Sequence, residues 1–262
     1  MTSRRNWSRK ETLFALYLML KIPFGKFDQR NREVQHAAHL LGRTPSALAM
    51  KLGNLYSCLP AAIKGHRSGL KASSSQDKSI VEEYLREPER MLIECSMAAA
   101  DYFGEKTEVS RDIRQALQPT ETESMSWRAQ RLSQSLFRDK LLSAYDSRCC
   151  VTGLGENELL VASHIKPWKD ADHGERIASS NGLLLNALHD KAFDRGLITI
   201  TDSLEVALSS RLSKALPKPV VENFFEAYEN QEISIPRSEL DRPSLPFLKW
   251  HRENIFQSSA RA

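Results

Sequence analysis

The longest uninterrupted apolar run in the chain, Leu13 to Leu20, is eight residues long. A helix needs about 20 such residues to cross a bilayer. No transmembrane helix is expected, and the chain must fold around a core in water. At 262 residues, with 41% hydrophobic and 27% charged side chains, it reads as one large or two ordinary soluble domains, not as a disordered or fibrous chain. The start Met1-Thr2-Ser3-Arg4-Arg5 imitates a secretory signal, but Glu11 stands at the front of the apolar run. Lys21-Ile22-Pro23-Phe24 then follows it where a small-residue cleavage site would be. The cysteines Cys58, Cys95, Cys149 and Cys150 are two isolated and two adjacent residues, not the spacing of a secreted disulfide scaffold. A cytoplasmic location is expected.

The formal net charge of +4 is unevenly spread. Residues 1–70 hold twelve basic and three acidic side chains (+9), residues 71–124 seven and twelve (−5), and residues 125–262 eighteen of each. The basic excess therefore belongs to the N-terminal segment.

That segment reads as three short helices. Ser8 and Glu11 have capping-box spacing, and Leu13, Phe14, Tyr17, Leu18 and Leu20 follow at helical spacing. A second helix is expected over Glu33 to Leu41, ended by Gly42, and Thr44-Pro45 opens a third. In the third, Leu48, Leu52 and Leu55 are expected inside, with Ser46, Met50, Lys51 and Asn54 elsewhere on the surface. Helix, Gly-containing turn and a helix that starts with small polar residues resemble a helix-turn-helix reader in a basic segment. A helical module that only docks on its neighbour remains the other reading. On the first, Ser46, Lys51, Asn54, Arg4, Arg5 and Arg9 contact DNA.

The expected organisation is a basic helical DNA-binding module at 1–64, a linker and acidic helical spacer at 65–126, and a catalytic domain with a C-terminal extension at 127–262. Gly65 to Lys78 is Gly/Ser-rich, Ser79 to Phe103 is helical with a break near Pro88, and Gly104 to Ser126 reads as a second linker. Beyond Trp127 the texture changes. A helical stretch leads into Cys149-Cys150-Val151-Thr152-Gly153, a β-rich stretch ending in ASHIKPW, a polar loop to Ser180, then NGLLL, a short helix HDKAFD and a strand Leu197 to Ile200.

In these blocks, ASHIKPW, NGLLL and HDKAFDRGL in order, the chain resembles the HNH nuclease family, in the branch that resembles restriction endonucleases. The opening WSRKETLFALYLMLKIPFGK and closing LPFLKWHRENIF are similar to that branch as well. The resemblance implies an α+β chain, a helical (helix-turn-helix-like) module followed by a ββα-metal nuclease domain that hydrolyses DNA. It places the general base at His164 and gives Asn181 the task of holding the long loop so that His164 is correctly aimed.

The residue chemistry agrees. Phosphodiester hydrolysis needs a base that makes hydroxide and a cation to hold developing charge, and a histidine with a pKa near 6.5 is largely neutral at pH 7. Asp190 and Asp194, four apart on a helix, share a face and can present oxygens to one Mg²⁺ or Mn²⁺ ion. His189 points about 100° away from Asp190, and both stay candidate ligands. Lys166, Lys191 and Arg195 are candidate phosphate contacts. Ser163 stands where the family often has a metal-binding Asp or His, and no paired Cys-x-x-Cys knuckles occur, so structural zinc is not expected.

The first expectation is a metal-dependent restriction or defence endonuclease acting as a homodimer on double-stranded DNA, with 5′-phosphate and 3′-hydroxyl products implied by the resemblance. Dependence on a modified base is one form of it. A DNA-binding regulator with a degenerate nuclease module is the alternative, kept open by Ser163.

Overall fold

Residues 5–60, 73–118, 124–212 and 217–258 are described by the structure, a computed structural model. It is α+β, with helices throughout the N-terminal part and small antiparallel sheets in the C-terminal half. Two compact units divide between Asp139 and Lys140. None of the described helices is long and apolar enough to cross a membrane.

The N-terminal unit contains α1 (Arg9–Lys21), α2 (Arg32–Leu40), α3 (Pro45–Ser57), α4 (Ser75–Arg86), α5 (Pro88–Phe103), α6 (Glu108–Leu117) and the first part of α7 (Met125–Ala144). Ser8 caps α1 in a capping box with Glu11, and every residue from Leu13 to Leu20 is buried. Side chains on all faces of α1 therefore need neighbours, and α5 supplies the main one: Tyr102 stacks on Phe14 at 4.9 Å, and Phe103 meets it edge-on at 5.2 Å. Gly42 takes φ +62 and ends α2, with the Arg43 N–H donating to Ala38 O at 2.9 Å in a Schellman arrangement. Thr44 Oγ1 then accepts the Ala47 N–H and opens α3, whose Leu48, Leu52 and Leu55 are fully buried.

Three expectations for this unit need correction. Lys51 is not on the surface: it is 4% exposed, with Nζ 2.6 Å from Asp77 Oδ1 and 4.7 Å from the Trp7 ring centre. The stretch from 104 to 126 is not merely a connection, because it contains α6, whose buried Ser110 hydroxyl donates to Ala100 O at 3.1 Å. The basic and acidic segments are not separate either. Arg9 on α1 bridges to Glu83 on α4 and Glu94 on α5, and Lys10 bridges to Asp101 on α5. Part of the charge asymmetry is thus paired inside one helical unit.

The C-terminal unit starts within α7. Strands β1 (Leu160–His164) and β2 (Gly182–Asn186) pair antiparallel from Leu160↔Asn186 to His164↔Gly182. Leu183, Leu184 and Leu185 are wholly buried, so β2 is covered on both faces. Each such leucine is worth about 1.5–3 kcal/mol relative to exposure. Between the strands the polar loop holds a short helix, α8 (His173–Ile177), opened by an Asp172–Glu175 capping box. Helix α9 (Ala187–Asp194) is capped by Asn186 and lies against both strands. A second hairpin, β3 (Ile198–Ile200) with β4 (Val206–Leu208), is followed by α10 (Lys218–Phe224) and α11 (Leu245–Asn254), the latter against β3.

Candidate active site

The register of the first hairpin puts His164 at the last residue of β1, opposite Gly182. Its Nε2 lies 2.9 Å from the Arg176 carbonyl oxygen. A carbonyl can only accept, so Nε2 carries the hydrogen and the neutral ring keeps its lone pair on Nδ1. Burial pushes the His164 pKa below its ordinary value, and the Arg176 charge adds to this, while the carbonyl bond opposes both. The ring is therefore neutral at pH 7 and able to take a proton.

Asn181 is fully buried and clamps the start of the loop. Its Oδ1 accepts the Lys166 N–H at 2.8 Å, and its Nδ2 donates to Lys166 O and Glu175 O, each at 3.1 Å. The Ile165 N–H donates to Asn181 O at 3.0 Å, so the residue after His164 is held as well. Trp168 meets the His164 ring edge-on at 5.7 Å and carries the Arg176 guanidinium 5.0 Å from its own ring centre, and Arg176 Nε donates to Trp168 O. Lys140, buried on α7, donates to Ile177 O at 3.2 Å, and burial pushes its ammonium down to about 8. Ser179 donates to the buried Asp241 at 2.7 Å.

Arg176, Lys140 and Asp241 escaped sequence reading. Their task is visible only in which carbonyl, hydroxyl or ring each one meets, and no local spacing encodes that. The Asp172–Glu175 spacing, within what reads in sequence as a polar loop, is a capping box and is the local signal that could have shown order there.

Helix α9 sends neighbouring residues in different directions. His189 is buried, its Nδ1 3.1 Å from Asn186 Oδ1, against the rings of Phe225 at 5.3 Å and Tyr228 at 5.6 Å. Its Nε2 has no partner of ordinary hydrogen-bond geometry, and burial lowers its pKa although the Phe224 backbone opposes this. Asp190 instead lies beside Ser163. Burial raises the Asp190 pKa, against the Ser163 hydroxyl and Lys191, which favour the carboxylate. That hydroxyl is itself buried without a partner of ordinary geometry. Asp194 is raised by burial and then by the charge of Asp190, so the two carboxylates feel each other.

Among the described residues no three His, Cys, Asp and Glu side chains gather into a group that could hold a metal alone. The donor chemistry nevertheless suits a hard divalent cation: the Asp190 carboxylate with the Ser163 hydroxyl beside it, and the Asp194 carboxylate, which the Asp190 charge makes costlier to ionise. Mg²⁺ commonly takes one or two carboxylates and fills its other positions with water and phosphate oxygens. Cys149 and Cys150 are buried, and Cys149 Sγ accepts the N–H groups of Asn186 and Thr152.

The remaining candidates divide sharply. Lys166 is paired with Glu175 at 2.7 Å. Lys191 and Arg195 are exposed and line an open cleft. In the N-terminal unit Arg5 bonds to Glu11, Arg9 to Glu83 and Glu94, and Lys51 to Asp77. Ser46 is exposed, while Asn54 is half-buried with its Oδ1 enclosed. Arg4 lies outside the described residues.

A family model described as HNH endonuclease matches residues 149–201. Among solved structures the chain is similar to one described as a modification dependent TagI restriction endonuclease. The identity is 22%, the TM-score 0.30, and the match covers 45% of this chain and 36% of that one. Among curated proteins, none matches.

Proposed function

Since residues 149–201 form an HNH endonuclease domain, we propose that this chain is a divalent-metal-dependent DNA endonuclease of the restriction type, with His164 as general base. The observation that carries the reading is the setting of His164. Its Nε2–H is committed to the Arg176 carbonyl, its lone pair is on Nδ1, and burial keeps the ring neutral. Nδ1 takes a proton from water as the water oxygen bonds to phosphorus and the bond from phosphorus to the 3′ oxygen breaks. The leaving 3′ oxygen takes a proton from solvent, and the products are 5′-phosphate and 3′-hydroxyl ends. Asn181 positions the base through the Lys166 and Glu175 backbone.

Asp190 and Asp194 are the residues that would hold the cation, with the Ser163 hydroxyl at hand. His189, enclosed by Phe225 and Tyr228, is assigned to packing α9. When bound, the cation supplies positive charge against that developing on the scissile phosphate and leaving oxygen.

The deciding experiment is nicking of supercoiled plasmid with Mg²⁺, Mn²⁺ or EDTA, on unmodified, cytosine-methylated and adenine-methylated DNA. Loss of a general base removes about 10²–10⁴ of rate, so His164→Ala is expected to fall by that much. Undiminished nicking by the variant removes His164 from the mechanism. Salt-dependent binding without cleavage of any DNA favours the regulator instead. Cutting both strands from one site per chain calls for two copies, so a dimer on DNA is expected. Sedimentation showing only monomer with and without DNA rules that out.

A further inference from the structure

The closing block LPFLKWHRENIF has no part in the chemistry above, yet it forms α11 and one wall of an open cleft of about 670 Å³. Ligand sites commonly occupy roughly 300–1,000 Å³. Pro167, Lys169 and Asp170 line the cleft from the loop that follows His164, Lys191 and Asp194 from α9 with Arg195 just after it, and Trp250 and Asn254 from α11. We propose that this cleft seats the nucleotide flanking the scissile phosphate, with Trp250 as the surface on which its base stacks and Lys169, Lys191 and Arg195 as its phosphate contacts. The inference rests on the nuclease reading.

Two observations support it. Lys169, Lys191 and Arg195 make no salt bridge among the described residues, whereas Lys166 nearby is committed to Glu175. Trp250 is half-buried and makes no ring contact with another aromatic among the described residues, so its ring is not consumed by an aromatic cluster. Aromatic surface interleaved with cations is what lets a groove follow a single nucleic-acid strand without reading its sequence.

The wall is also fixed to the catalytic helix. Gly196, at φ +66, lets the chain approach so closely that an added Cβ would lie 2.1 Å from Ile255 O. Gln257 donates from its backbone to Gly196 O and from Nε2 to Arg195 O. His251 bridges Thr199 and the Phe193 carbonyl. The backbone of α11 is thereby tied to the end of α9 that carries Asp194. Of the acidic lining residues, Asp194 is a candidate cation holder, and the three cations outnumber it and Asp170.

The test is fluorescence anisotropy of a short labelled duplex and the matching single strand in EDTA, across a salt series, with circular dichroism to confirm folding. Truncating a stacking aromatic weakens binding by about tenfold. Trp250→Ala is expected to show that loss and Trp250→Phe to recover most of it. Joint replacement of Lys169, Lys191 and Arg195 by Gln is expected to lower the salt slope by about one per residue. A second readout is Trp emission: the part quenched by DNA disappears in Trp250→Phe. Equal affinity of wild type and Trp250→Ala, or full quenching retained in Trp250→Phe, overturns the inference while a wild type that cuts DNA leaves the nuclease reading standing. A wild type that neither binds nor cuts any DNA overturns both.

Discussion

Asn181 satisfies both backbone groups of Lys166 and the carbonyl of Glu175 from a fully buried position. Leaving one buried partner unsatisfied costs about 1–3 kcal/mol, so Asn181→Ala is expected to lower the melting temperature as well as the cleavage rate. A variant with wild-type stability and wild-type nicking would show that the clamp is dispensable. Asp190 and His189 illustrate a second point at this scale. They are adjacent in sequence, but one faces Ser163 and the other a pair of aromatic rings.

Helix α11 is held through His251, which is 1% exposed and stacked on Phe193 at 3.7 Å. Burial, aided by Arg252 and opposed by the Phe193 carbonyl, pushes its pKa down to about 4. The unfolded chain binds a proton near pH 6.5 that the folded chain refuses. The contribution of His251 is therefore complete above about pH 6.5 and lost as pH falls from there towards 4, by up to about 3 kcal/mol. Denaturant titrations should show the stability gap between pH 7 and pH 5 shrink in His251→Phe. His164 and His189 act in the same direction and remain in both proteins, so the difference isolates His251. An unchanged gap would mean that His251 does not titrate in this window. Gly196→Ala is expected to detach the segment around Ile255, because the new Cβ meets backbone at 2.1 Å and the left-handed φ is itself strained. Proteolysis near the C-terminus reads that release.

Across the whole molecule, part of the basic excess of residues 1–70 is met by the acidic segment that follows it, at Arg9, Lys10 and Lys51, and part by acids within the same segment. Glu11 and Asp77 each complete a capping box and also take an ion-pair partner, Arg43 for one and Lys51 for the other. Burial pushes the Glu11 carboxyl up, but bonds from Arg43, the Ser8 N–H and Arg5 outweigh this and hold it at about 2. Removing one partner of a buried pair costs about 3–5 kcal/mol. Asp77→Ala is thus expected to destabilise the N-terminal unit by that order in chemical denaturation, with Lys51 left buried and uncompensated. Neutralising Lys51 is expected to lower stability and leave the salt slope of DNA binding unchanged. A lower slope with unchanged stability would return Lys51 to the DNA surface.

Much of this was legible in the residues alone. Ser8 with Glu11, Gly42 and Thr44-Pro45 marked real helix ends, because capping is a contact between residues three or four apart. The order of strand, loop, strand and helix in the HNH-like blocks, with His164 at a strand end, was legible for the same local reason. What only tertiary structure decided were contacts between residues far apart in the chain. Lys51 met Asp77 and Trp7, Arg9 met Glu83, His189 met Phe225, and the carbonyl of Arg176 met His164. A side chain's type and spacing determine which partners it can take; whether a charge faces solvent, a counter-ion or a catalytic cleft depends on which distant segment the fold brings against it.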